Sequence, residues 1–156
     1  MKAYYITDTG KVRTHNEDSV MIVKNLTGEH LMVVADGMGG HKAGEVASGI
    51  AIECLTNEFY KLETFGNKEN AIEWLRNIVL EINQRIFKYT KENPGSKGMG
   101  TTLVIAIKTE DYILYGNIGD SSGNLNLIFS KFKFSLNSLL REFDSARLLL
   151  NTRGET

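Results

Sequence analysis

Val20, Ile22, Leu31, Val33 and Val34 fall in two short apolar runs, Ser19 to Lys24 and His30 to Ala35, separated by the polar segment Asn25-Leu26-Thr27-Gly28-Glu29. Short β-branched runs on either side of a glycine-bearing turn predict a hairpin whose apolar side chains enter one sheet. An earlier β-prone run, Ala3 to Thr7, ends at the polar turn Asp8-Thr9-Gly10-Lys11 and predicts one more short strand. Beyond residue 45 the spacing lengthens. Val46, Ala47, Ile50, Ala51, Cys54, Leu55 and Phe59 recur in steps of three and four, so Glu45 to Leu62 is expected to be a helix with one buried face. After a loop at Thr64 to Lys68, the residues Ile72, Leu75, Ile78, Val79, Ile82, Ile86 and Tyr89 predict a second helix starting near Asn70. Asn93-Pro94-Gly95-Ser96 stops it.

β-Branched content returns in Thr101 to Ile107, and alternation in Tyr112 to Asn117, which predicts two strands joined across Lys108-Thr109-Glu110-Asp111. Strands before and after two long helices, with no linker between them, predict an α+β fold in which helices pack on a sheet. From Leu125 the pattern loosens. Leu127-Ile128-Phe129 and Phe132 to Phe134 are compatible with another strand pair, Ser135 to Arg147 is weakly organised, and Leu148-Leu149-Leu150 precedes a polar end. Such bulky residues need a partner surface, from the same domain or from another molecule.

Composition narrows the functional classes. A chain of 156 residues, 42% hydrophobic and 24% charged, has the size and content of one folded domain with its own core. Its formal net charge of -1 provides no positive field to gather nucleic acid or acidic lipid, so no nucleic-acid partner is expected. No apolar run approaches the roughly 18 residues of a membrane span. Met1-Lys2-Ala3-Tyr4-Tyr5 meets charge and polarity too early for a signal peptide, which makes the cytoplasm the expected compartment. Cys54 is the single cysteine, so there is neither an internal disulfide nor a thiolate zinc cluster; between Ile52 and Leu55 it reads as a buried helix residue.

The candidate chemistry gathers at strand ends. Val33-Val34-Ala35-Asp36-Gly37-Met38-Gly39-Gly40-His41 carries one carboxylate to the end of a strand and releases the backbone through glycines. Aspartate before glycine is also an ordinary turn former. Here three glycines permit close backbone approach and leave the Gly37 carbonyl able to coordinate a cation beside Asp36. Glu17-Asp18 is either a solvated turn or a pair in which one acid binds a cation, directly or through water, while the other orients a water. Arg13 lies five residues before Asp18, and its guanidinium offers the two-pronged donor that phosphoryl oxygens accept. Gly119-Asp120-Ser121 repeats the theme of an acid leaving a strand. Together these groups permit metal-assisted hydrolysis, in which two divalent ions roughly 4 Å apart acidify a bridging water and no protein nucleophile is required.

Other chemistries are excluded on the same residues. Gly37-Met38-Gly39-Gly40 and Gly98-Met99-Gly100-Thr101-Thr102 both lack the lysine of a nucleotide phosphate loop, and there is no dinucleotide fingerprint. His15, His30 and His41 show no zinc-helix spacing. His41 reads equally as an exposed loop residue beside Lys42 and as a catalytic one. Ser121 and Ser122 have no sequence-local base and need no covalent role.

Thr7-Asp8-Thr9-Gly10, Arg13, Asn16-Glu17-Asp18, Val33 to Ser48, Gly98-Met99-Gly100-Thr101-Thr102 and Asn117-Ile118-Gly119-Asp120-Ser121 occur in the order of the motifs of a known family. The chain resembles the metal-dependent serine/threonine protein phosphatases, the PP2C or PPM family, and within it the bacterial branch. The resemblance implies an antiparallel β-sandwich flanked by helices, incomplete here, that hydrolyses phosphoserine and phosphothreonine in proteins through a metal-bridged water. It implies Mn2+ or Mg2+, two ions in the complete site with a third that binds more weakly. Asp36 would bridge the pair, Gly37 would give its carbonyl to one, and Glu17 or Asp18 would support the other. Arg13 would clamp the phosphate, and Asp120 matches the ligand of the third ion. Phosphorylated proteins are the implied substrates, with a bacterial serine/threonine kinase as the opposing partner.

The chain also departs from the family. Met38 stands where eukaryotic members place a histidine. The family's two further metal-binding aspartates, in an Asp-Gly and a Gly-x-x-Asp-Asn motif, have no match after Asp120, and Asp144 is the sole later aspartate. Residues 1–122 are therefore expected to be the N-terminal part of a phosphatase domain, and 123–156 a divergent tail of truncated or frame-shifted origin. The competing expectation is a catalytically inactive fragment or pseudophosphatase that acts at most as a binding module.

Overall fold

Five residues, Asn25 to Glu29, reverse the chain between β1 (Asp18–Lys24) and β2 (His30–Met38), and this connection sets the register of the hairpin. Lys24 lies opposite His30 and, six residues back, Asp18 lies opposite Asp36. The computed structural model describes residues 3–12, 14–40 and 42–122. After the hairpin come α1 (Ala43–Lys61), α2 (Lys68–Glu92), a single 3-10 turn at Pro94–Ser96, and the strands β3 (Gly100–Thr101), β4 (Leu103–Lys108) and β5 (Ile113–Ile118). The strands form one antiparallel sheet in the order β1-β2-β4-β5, with β3 pairing the end of β2. This is the α+β arrangement of sheet and helices that the sequence predicts.

Residue alternation decides what each sheet face touches. Leu31, Val33 and Ala35 of β2, with Leu103, Ile105 and Ile107 of β4, are buried toward the helices. On α1 the buried positions grade from small to large, from Ala43, Gly44, Ala47, Ser48 and Ala51 to Cys54, Leu55 and Phe59. Small residues allow backbones to approach, so α1 comes closest to the sheet at its N-terminal end, beside the glycines that follow Asp36. At the other end Phe59, Phe65 and Trp74 fill the wider space, with the Phe65 and Trp74 rings edge to face at 5.2 Å. α2 is capped by Asn67, whose side chain accepts from the Asn70 N–H at 2.8 Å, an ordinary N-cap.

The opposite sheet face is apolar as well. Val20, Ile22, Met32, Val34, Val104 and Tyr115 line a groove of about 430 Å³, and Val34 is 46% exposed. Residues 3–5 border the groove, yet the strand expected from Ala3 to Thr7 does not form; residues 3–9 are irregular and exposed. A β-prone run needs a neighbour to satisfy its N–H and C=O groups, and no described strand pairs with this one. Among the described residues no helix is long and apolar enough to cross a membrane. The apolar runs from Leu125 onward lie outside the described residues.

A smaller correction concerns the third stretch of sheet. The strand expected over Thr101 to Ile107 is interrupted at Thr102, for a reason tied to the site.

Candidate metal centre

Asp18 and Asp36 stand at the same end of the sheet, one on each strand of the hairpin. Directly opposed residues on antiparallel strands project to the same face, with Cβ atoms about 5 Å apart. Two acidic residues are thus set directly opposite one another at the sheet end, an unfavourable pairing for like charges and a favourable one for a hard cation. Asp18 is exposed and Asp36 partly buried.

Asp18 is set by its predecessor. The Asn16 side-chain oxygen accepts from the Asp18 N–H at 3.0 Å, and the Asn16 amide donates to the Thr7 hydroxyl at 2.7 Å. This is an Asx turn that also ties down the N-terminal segment.

Glu17 is used differently. Its carbonyl accepts from the Gly37 N–H at 3.1 Å and from the Ser48 hydroxyl at 2.7 Å, so its main chain joins the end of β2 to α1. Its carboxylate rests on Gly44 in the first turn of α1, where a Cβ would meet Oε2 at 2.7 Å. A negative charge there is favoured by the unpaired N–H groups of the helix start. A Cβ on Gly37 would run into the Gly44 carbonyl and approach the Glu17 carbonyl to 2.5 Å. Only glycine fits at this crossing, which is the physical reason for the Asp36-Gly37 pair.

The other side of Asp36 is held from β3 and its junction with β4. The Asp36 carbonyl accepts from the Thr102 N–H at 2.9 Å and lies 3.1 Å from the Thr101 hydroxyl. The Asp36 N–H donates to the Thr102 hydroxyl at 3.1 Å. That hydroxyl is 2.7 Å from the hydroxyl of Ser121, the residue after the exposed Asp120. Thr101 and Thr102, expected only to open a strand, are both buried and also grip the main chain of Asp36. A pair of β-branched hydroxyls at a strand start was the available signal, and it does not distinguish sheet packing from a side-chain clamp.

The structure thus brings Asp18, Asp36 and Gly37 to one end of the hairpin, turns the Glu17 carboxylate toward α1, and links the Asp120 segment to Asp36 through Ser121 and Thr102. Arg13 and His41 lie outside the described residues. The donors are all oxygen, which suits Mn2+ or Mg2+ better than a soft metal. Among the described residues no three His, Cys, Asp or Glu side chains converge, so Asp18 and Asp36 alone do not close a coordination shell. Cys54 takes no part: burial pushes its thiol up to about 11, which leaves it protonated and inert at neutral pH.

Comparisons with known proteins bear on the family of the chain. A family model described as protein phosphatase 2C matches residues 10–125. The serine/threonine phosphatase stp of Listeria monocytogenes is 39% identical over 125 residues, covering 80% of this chain and 50% of that protein. The crystal structure of the serine/threonine phosphatase Stp1 from Staphylococcus aureus has a TM-score of 0.67 and 43% identity, over 74% of this chain and 45% of its own. The catalytic domain of the serine/threonine protein phosphatase PstP, solved with 2 manganese ions, has a TM-score of 0.62 and 33% identity, over 86% of this chain and 57% of its own. The chain spans about half the length of the curated relatives it matches.

Proposed function

The chain belongs to the protein phosphatase 2C family, and from that premise we propose that it carries part of a divalent-metal centre for hydrolysis of phosphoserine and phosphothreonine in proteins. The opposition of Asp18 and Asp36 across β1 and β2 is the observation that carries this reading. Asp36 would serve two ions, the Gly37 carbonyl one of them, and Asp18 or Glu17 the other, directly or through water. Asp120 would hold a third. When bound, Mn2+ or Mg2+ supplies an acidified water and neutralises phosphate charge.

The chain's own contribution is positional. The Gly37–Gly44 crossing and the threonine clamp hold the Asp36 main chain, while Asn16 holds Asp18 by its N–H. Arg13 would receive the phosphate through its guanidinium, which favours a phosphorylated side chain over an unmodified one. The substrates are phosphoproteins in the cytoplasm, modified by a bacterial serine/threonine kinase. In this proposal residues 1–122 form the N-terminal part of the phosphatase domain and 123–156 a divergent tail.

One observation favours a second reading. The described residues bring no third acid to the Asp18–Asp36 pair, and a centre short of ligands can bind an ion without turning over. Release of phosphate from a phosphothreonine peptide, measured with and without Mn2+ and with Asp36→Ala as control, separates the two. Turnover that needs both Mn2+ and Asp36 supports the phosphatase; a folded chain that binds Mn2+ through Asp36 and releases no phosphate supports a pseudophosphatase.

A further inference from the structure

In the hydrogen-bonded pairs of a regular antiparallel ladder, which alternate with non-hydrogen-bonded ones, the N–H and C=O of one residue bond the C=O and N–H of the residue opposite. Thr102 stands where it should do this with Asp36, and it completes only half of the exchange. Its N–H reaches the Asp36 carbonyl at 2.9 Å, but the Asp36 N–H is taken by the Thr102 hydroxyl at 3.1 Å. The Thr102 carbonyl is left to the Thr101 hydroxyl, 3.0 Å away. A side-chain oxygen thus replaces a main-chain oxygen in the ladder at the residue bearing the candidate metal ligand, and this substitution breaks the strand between β3 and β4.

The same side chain touches a second acidic segment. Its hydroxyl lies 2.7 Å from the Ser121 hydroxyl. Its methyl faces Gly119, where a Cβ would meet Cγ2 at 2.8 Å. Gly119 has φ +95°, a conformation that other residues adopt at a cost, so the turn carrying Asp120 is seated on Thr102 from both sides. Thr102 is 1% exposed and has no solvent to replace these partners.

We propose that Thr102 is a positioning residue, whose hydroxyl fixes the Asp36 main chain while its methyl and hydroxyl together fix the Asp120 turn. The inference rests on the metal-centre reading of Asp36. A ligand must be held within about 0.5 Å of its productive place, and a hydroxyl shared between the two segments sets one position relative to the other.

The test separates the hydroxyl from the methyl. Thr102→Val keeps the shape and removes the hydroxyl; Thr102→Ser keeps the hydroxyl and removes the methyl; Ser121→Ala removes the far partner. Amide hydrogen exchange at Asp36 is followed by NMR in each, and Mn2+ affinity by the signal of free Mn2+ in electron paramagnetic resonance. Loss of a buried hydrogen bond predicts that Thr102→Val speeds Asp36 exchange and weakens Mn2+ binding by about tenfold each. Thr102→Ser restores Mn2+ affinity to within about threefold, as expected when one hydroxyl carries the effect. Ser121→Ala speeds exchange at Asp36, which it reaches through the Thr102 hydroxyl. Equal Mn2+ binding by the unaltered chain and Thr102→Val overturns the inference alone, as does equal behaviour of the Val and Ser variants. Absence of Mn2+ binding by the unaltered chain overturns the metal-centre reading, and the inference with it.

Discussion

Asp18 faces Asp36 across the hairpin, six residues from a connection that also sets Lys24 against His30. Two acids in directly opposed positions offer a divalent ion one shared place, so Mn2+ binding is predicted to depend on both, and Asp36→Asn to abolish the gain in stability that Mn2+ gives in urea denaturation. Addition of Mn2+ should stabilise the unaltered chain and leave the variant unchanged.

The Gly37–Gly44 crossing gives a stability prediction of its own. Gly44→Ala forces a methyl into the Glu17 carboxylate and the Gly37 main chain, and overpacking of this kind costs about 2 kcal/mol. Gly49→Ala, on the same helix with open space around it, should stabilise by up to about 1 kcal/mol. Equal effects at the two positions in urea melts would remove the steric account of the acid-glycine turn.

Away from the centre, Glu29 joins the hairpin to the loop between α1 and α2. The residue is 6% exposed, and its carboxylate accepts from the Asn25 side-chain amide at 2.8 Å, the Thr64 hydroxyl at 2.9 Å and the Phe65 N–H at 3.0 Å. Glu29→Ala strands three donors and should cost about 3 kcal/mol, whereas the exposed Glu110→Ala should stay within about 0.5 kcal/mol. Thermal or urea melts of the two variants distinguish a structural pin from a solvated turn residue.

Burial, with the charge of Lys24 beside it, holds the His30 imidazole below its ordinary range. The unfolded chain therefore takes up a proton, near pH of about 6.5, that the folded chain resists. This contribution to stability is complete above that pH and declines as pH falls through it toward the lower folded value. His30→Gln should lose less stability than the unaltered chain between about pH 7 and 5.5. Parallel pH profiles would contradict the assignment.

Much of this was legible from spacing. The five-residue polar segment between two β-branched runs marked the hairpin, and the steps of three and four located both helices, whereas the register that opposes Asp18 and Asp36 is a finding of the structure. The ends of elements were harder. β2 runs on to Met38 through Gly37 because β3 pairs there, a contact that arrives from more than 60 residues away in sequence. α1 starts at Ala43, ahead of the expected Glu45, because Gly44 must lie against Gly37. Residues 3–9 have strand-like composition without a described strand to pair with. The clamp on Asp36 was hidden for a related reason: whether a threonine hydroxyl meets a neighbouring carbonyl, a distant N–H or another hydroxyl depends on tertiary contacts that Thr101-Thr102 does not encode locally.

The central claim, that the strand-end acids form a divalent-ion site, is tested most directly by titrating the isotopically labelled chain with substoichiometric Mn2+ and recording the amide spectrum. A paramagnetic ion broadens signals near it first. The account predicts early loss of the amides at 16–18 and 36–38, and the absence of this pattern in Asp36→Asn. Broadening spread evenly over exposed acids, or retained at 36–38 in the variant, would contradict it.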